Sequence, residues 1–137
     1  MENQLKQMIE MVEEFNQSFG IKYAKRIDTL LTDYEYNDYC LRYGLMQEEN
    51  EEYLAAINDD NFTEVADAVG DMLYVLIGTV VKHGLQDYLF EIFAEIHRSN
   101  MSKLDENGKP IRREDGKIIK GKNYQAPILD EIIYKKK

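Results

Sequence analysis

The sequence predicts an all-α protein, a bundle of four to five helices followed by a mostly non-helical basic arm. Three observations carry that prediction. Apolar residues recur near i, i+3, i+4 and i+7 through the first hundred positions, the spacing of one helix face. The breaks between these segments hold Gly, Asn and Asp rather than strand-like alternation. After Lys103 the texture changes: Asn107-Gly108 and Asp115-Gly116 signal turns, and Pro110 and Pro127 discourage helix. The expected organisation is therefore a helical domain over 1–102, with an arm over 103–137 packed on the same domain.

The elements follow in order. Leu5, Met8, Ile9, Met11, Val12 and Phe15 give an amphipathic helix over 3–17, with Gly20 where a stop belongs. A short helix is expected over 22–32. A longer one covers 35–58, offering Tyr39, Leu41, Leu45, Met46, Tyr53, Leu54 and Ile57 for packing. Asn58-Asp59-Asp60-Asn61 reads as a turn, with Asn61 as N-cap and Glu64 three positions on. A helix over 62–83 closes at Gly84. Another covers 86–102, with Leu89, Ile92, Phe93 and Ile96 inward. A small hairpin is expected at 111–119.

Composition narrows the function. The chain has 137 residues, 17 basic and 26 acidic, for a formal charge of −9. That balance argues against a duplex DNA binder working through general electrostatics. The basic residues Lys109, Arg112, Arg113, Lys117 and Lys120 nevertheless gather between Lys103 and Lys122. An acidic body with a basic arm suits a ligand carrying phosphates and metal together. Cys40 stands alone, so no internal disulfide and no Cys/His zinc pattern is expected, and a reducing cytoplasm fits. The N-terminus lacks a signal-peptide layout. The apolar stretch from Met72 to Val81 is too short for a bilayer, so no membrane partner is expected.

Two acidic clusters carry the chemistry. Glu48, Glu49, Glu51 and Glu52 sit on one helix; Glu64, Asp67 and Asp71 sit on the next, running into Met72-Leu73-Tyr74-Val75-Leu76-Ile77. Residues three and four apart share a helix face, so each helix can aim a ladder of carboxylates at the other. Carboxylates beside an apolar helix are costly to bury unless something positive lies between them. A divalent cation answers that cost. Mg²⁺, with Mn²⁺ as an alternative, takes oxygen ligands, a few carboxylates and substrate phosphates. The ordinary alternative, an exposed acidic helix face, suits Glu48–Glu52 taken alone. Asp67 and Asp71 shift the balance, because the segment from Val65 to Val81 is otherwise apolar nearly all round.

Other chemistries find no motif. A di-iron bundle needs Glu-x-x-His, but Ala94 precedes His97 by three and Val80 precedes His83 by three. A phosphate-binding Gly-rich loop, a nucleophile elbow and His-Glu-x-x-His are all missing. His83 reads as a helix C-terminal residue, and His97 as a group near the ligand or a packing residue. Asn100 and Lys103 share the face of a helix end, where a lysine can meet phosphate as a point charge.

Taken together these residues resemble the all-α nucleotide pyrophosphohydrolases, the MazG-like superfamily that includes phosphoribosyl-ATP pyrophosphohydrolase and dimeric dUTPases. Glu48-Glu49-x-x-Glu52 matches the first half of the Glu-Glu-x-x-Glu … Glu-x-x-Asp pattern. Asp67-Ala-Val-Gly-Asp71 is similar to the second half. Phe15-x-x-x-Phe19-Gly20, Arg42, His97 to Lys103, and Gly116 to Tyr124 with Pro127 are similar to a phage and bacterial branch. One departure stands: the family's Glu falls on Ala68, leaving Asp67, or Glu64-x-x-Asp67, as alternative registers.

The resemblance implies Mg²⁺-dependent hydrolysis of a nucleoside triphosphate, or related nucleotide, to monophosphate and pyrophosphate. It implies Glu49, Glu52 and Asp71 as metal ligands, with Asp67 or Glu64 completing the set and Glu48 as ligand or base. Lys103, with Lys120 or Lys122, would meet phosphate oxygens; Asn100 and Tyr124 would contact base or sugar, Tyr124 having an equal reading as the aromatic that pins the tail. It also implies a homodimer or homotetramer, in keeping with ten Tyr and six Met residues. The competing class is a non-catalytic helical module that binds a nucleotide or a basic protein partner, and Ala68 keeps it open.

Overall fold

The computed structural model describes residues 2–24, 27 and 33–134. They form five helices: α1 (Glu2–Ser18), α2 (Asp33–Asn58), α3 (Phe62–Lys82), α4 (Leu89–Met101) and α5 (Asp130–Tyr134). Among them the only β pairing is an isolated antiparallel bridge between Arg112 and Ile118. No helix of the described residues is long and apolar enough to cross a membrane. The helix expected over 22–32 lies mostly outside the described residues; 22–24 and 27 are not helical.

Two compact units are present, Met1–Gln86 and Asp87–Lys137. In the first, α3 packs against both α1 and α2. Its core is Ile9 and Val12 from α1, Ala56 from α2, and Ala68, Ile77, Val80 and Val81 from α3. The small residues Ala56 and Ala68 let α2 and α3 approach closely around the α2–α3 turn. That turn carries Asp60 at φ 49°, a left-handed conformation that Asp tolerates. Asn61 then caps α3, its side chain accepting from the Glu64 amide at 3.2 Å. At the other end Gly84, at φ 71°, lets its amide reach Val81 O and the Leu85 amide reach Val80 O.

His83 ends α3 and stacks on Tyr39 of α2 at 4.5 Å between centroids. Burial, then the neighbouring Lys82 charge, hold its pKa below the ordinary value. On α2, Leu41, Leu54 and Ile57 are exposed rather than packed.

The second unit is built around α4. Of the residues expected inward, Phe93 is 70% exposed and Ile96 39% exposed, while Leu89 and Ile92 are half-buried. The expected hairpin is reduced to a tight loop, with the Arg113 amide bonded to Lys117 O and the Ile119 amide to Ile111 O. Asp105 makes a second turn, accepting from the Asn107 and Lys109 amides. The 125–128 segment is tied to α4. Ser99 Oγ donates to Gln125 O at 2.8 Å, the Gln125 amide donates to Ser102 Oγ at 2.9 Å, and the Ile128 amide donates to Glu95 at 2.9 Å.

Candidate functional site

The register of α2 against α3 builds the site. The helices run antiparallel, and each step up α2 is matched by an equal step down α3. Asp38 meets Lys82 at 2.9 Å. Four residues on, Arg42 meets the α3 backbone where Gly78 stands four before Lys82. Seven residues further, Glu49 meets Asp71, again seven before Gly78. Seven residues are two turns, so these side chains return to one face of each helix.

Ligand oxygens of Glu49, Glu52 and Asp71 lie within 4.8 Å of one another. Oxygens on opposite sides of one Mg²⁺ stand about 4.2 Å apart, twice the metal–oxygen distance. The 4.8 Å limit lies a little beyond that, so the three carboxylates would close in slightly to seat one Mg²⁺. Glu49 is half-buried and Glu52 exposed. Glu49 Oε2 is shielded from solvent and has no hydrogen-bond partner among the described residues. Burial, the adjoining Glu52 carboxyl, and the charges of Glu52, Asp71 and Glu48 push the Glu49 carboxyl above its ordinary pKa. An orphaned carboxylate oxygen amid other carboxylates is uncompensated unless a proton or a cation joins it. The donor set, all carboxylate oxygen, fits Mg²⁺ or Mn²⁺.

Glu64 and Asp67 are not in this cluster. They line a groove of about 490 Å³ with Glu52, Ala55, Asp59 and Ala68. Ala68 is 3% exposed and presents only a methyl group there. Glu48 is exposed and acts on Glu49 through its charge.

Arg42 is the part of the site that sequence reasoning noted without a partner. Its Nη2 donates to Val75 O at 2.7 Å and its Nε to Thr79 Oγ1 at 3.2 Å. Thr79 Oγ1 itself donates to Val75 O at 3.0 Å. Burial lowers the Arg42 pKa from its ordinary value. Arg42 also borders a cavity of about 370 Å³ with Asn16, Lys22, Asp38, Leu45 and Lys82.

The remaining candidates belong to the second unit. Lys103 is half-buried; Asn100 and His97 are exposed. Lys120 Nζ lies 4.6 Å from the centre of the Tyr124 ring, a cation–π contact, and Lys122 pairs with Glu106. The Arg98, Ser99 and Ser102 portion of the His97–Lys103 stretch has a structural task that the sequence did not show. Arg98 forms a two-point pair with Glu95 and donates to Gln125 Oε1 and Ala126 O. The available signals were Glu95-x-x-Arg98 and Ser99-x-x-Ser102, each placed on one helix face.

A family model described as phosphoribosyl-ATP pyrophosphohydrolase matches residues 12–100, which take in both acidic helices. An uncharacterized protein of Acanthamoeba polyphaga mimivirus is 37% identical over 67 residues, 49% of this chain. Those residues span 27% of the viral protein, about a quarter of its length.

Proposed function

Because the chain belongs to the phosphoribosyl-ATP pyrophosphohydrolase family, with the pyrophosphohydrolase-type action on nucleotides that membership carries, we propose that it is a Mg²⁺-dependent enzyme converting a nucleoside triphosphate to monophosphate and pyrophosphate. The observation that carries the reading is the meeting of Glu49, Glu52 and Asp71 from two helices, with Glu49 Oε2 orphaned among them.

Glu49, Glu52 and Asp71 would hold the metal. A bound divalent cation supplies charge neutralisation of the phosphates and a more acidic water. Glu48, exposed beside the cluster, is free to accept a proton from an attacking water or to ligate. The raised pKa of Glu49 means that it holds a proton more readily than a free carboxyl does, so proton and cation compete for one place. Lys103, Lys120 and Lys122 supply positive charge for phosphate oxygens, and Asn100 and Tyr124 the contacts to base or sugar. For Lys120 and Lys122 that role means leaving the Tyr124 ring and Glu106, both weak surface contacts.

An apolar face supports self-association as a homodimer or homotetramer. Met46, Tyr53, Val69, Met72, Leu73 and Leu76 line a hollow of about 640 Å³ on α2 and α3. The exposed Cys40 is in keeping with a reducing cytoplasm.

The test is incubation with a panel of ribo- and deoxyribonucleoside triphosphates and Mg²⁺, with separation of products. Monophosphate and pyrophosphate in equal amounts support the reading; no turnover of any nucleotide counts against it. One observation favours the second reading, a nucleotide-binding module without catalysis: buried Ala68 removes a carboxylate from the groove beside Glu52. Tight nucleotide binding without product would select it.

A further inference from the structure

Arg42 and Glu49 lie on one face of α2, seven residues and about 10.5 Å of helix rise apart. Gly78 and Asp71 have the same separation on α3. The Arg42 guanidinium lies against Gly78, and a Cβ there would stand 3.1 Å from Arg42 Cζ and overlap Nη2. With no side chain in the way, Nη2 reaches Val75 O and Nε reaches Thr79 Oγ1. Val75 O is the carbonyl one turn beyond Asp71 on the same helix face. A planar guanidinium bonded at two points fixes both the rotation and the slide of one helix against the other. Asp38–Lys82 is a single pair between flexible side chains and constrains less.

We propose that Arg42, seated on Gly78, is a positioning residue for the cation site, holding α2 and α3 in the register that brings Glu49 and Glu52 against Asp71. This inference rests on the metal reading of that cluster. A slide of one residue along α3 moves Asp71 by 1.5 Å and turns it by about 100°, which would take it out of the cluster.

The charge of Arg42 gives the proposal a sign that a purely electrostatic role lacks. Positions 42 and 49 are about 10.5 Å of helix rise apart, near one Debye length, so the Arg42 charge repels a cation at Glu49 only weakly. Removing the charge alone would tighten cation binding or leave it unchanged. Removing a clamp would weaken it.

The experiment is a Mn²⁺ titration of the full chain, read by the electron paramagnetic resonance of free Mn²⁺, with thermal melts of each variant alongside. Four proteins are compared: wild type, Arg42→Met, Gly78→Ala and the double variant. Gly78→Ala keeps the fold secure, because alanine is the better helix former and only the flexible tip of Arg42 must move. The expected result is about tenfold weaker Mn²⁺ binding in each single variant, the scale of losing a residue that orients ligands, and no further loss in the double. Arg42→Lys, which keeps the charge but can reach one acceptor, falls between. Mn²⁺ affinity within twofold of wild type in folded Gly78→Ala overturns the clamp while leaving the metal site standing. Full recovery in Arg42→Lys overturns the two-point clamp, because a lysine cannot reproduce the paired contacts to Val75 O and Thr79 Oγ1. No Mn²⁺ binding by the wild type overturns both this inference and the metal reading beneath it.

Discussion

Glu49 on α2 and Asp71 on α3 oppose each other across the helix pair, and the Asp71 charge is one of the causes that lift the Glu49 carboxyl above its ordinary pKa. The direction fixes a pH effect. The folded protein holds the Glu49 proton more tightly than the unfolded chain does. The associated stability is fully present below the ordinary value of 4.5 and is lost as pH rises through the raised folded value. Melts of the metal-free protein across that window should show wild type losing stability relative to Glu49→Gln. Parallel curves for the two proteins would contradict the coupling.

The same carboxyl links pH to metal. Protons and cations compete for it, so apparent Mg²⁺ affinity should fall as the pH is lowered through the raised Glu49 value. At one hundred times its dissociation constant, Mg²⁺ should stabilise the wild type by about 2.7 kcal/mol. Glu49→Gln and Asp71→Asn should lose that stabilisation while keeping a helical circular dichroism spectrum. A melting temperature of the wild type indifferent to both Mg²⁺ and Mn²⁺ would contradict the assignment.

Asp67 and Asp71 are separated by one helical turn, yet only Asp71 joins the cluster. Asp71→Asn should lower turnover at least about 100-fold, beyond the range seen on removing a group that only orients a ligand. Asp67→Asn and Glu64→Gln should each cost less than about tenfold, below that range. Equal losses at Asp67 and Asp71 would mean that the groove beside Ala68 is part of the metal site.

The tail latch has its own acid limit. The hydrogen bonds from Arg98 and from the Ile128 amide hold the Glu95 carboxyl down at about 2, against an ordinary 4.5. Its contribution is complete above 4.5 and is lost as pH falls through about 2, so hydrogen exchange at the Ile128 amide should quicken within that window. Ser99→Ala, which removes a buried hydroxyl bonded to Gln125 O, should loosen the same segment by about 1 kcal/mol. Unchanged Ile128 exchange in Glu95→Gln at neutral pH would show that the latch does not hold the tail.

Helical periodicity, the Asn61 cap and the Gly84 stop made α1, α2, α3 and α4 legible in the sequence, because each rests on local spacing. Spacing also put two carboxylate ladders on adjoining helices. It left open which rungs meet, since Asp67 and Asp71 stand equally well in an i, i+4 ladder. The antiparallel register decides that, and it depends on Arg42 finding Val75 O across a glycine, a pairing with no local signature. The same reason hid the tail latch, two of whose acceptors, Gln125 O and Ala126 O, are backbone carbonyls that any residue would supply. Phe93 was misjudged because an apolar face marks burial only when a neighbour covers it.

The most direct measurement is ³¹P NMR of nucleoside triphosphates incubated with the protein and Mg²⁺, with Asp71→Asn run beside it. The account predicts a pyrophosphate resonance growing in step with monophosphate for the wild type, and neither for the variant. Inorganic phosphate with diphosphate, or undiminished pyrophosphate from Asp71→Asn, would contradict it.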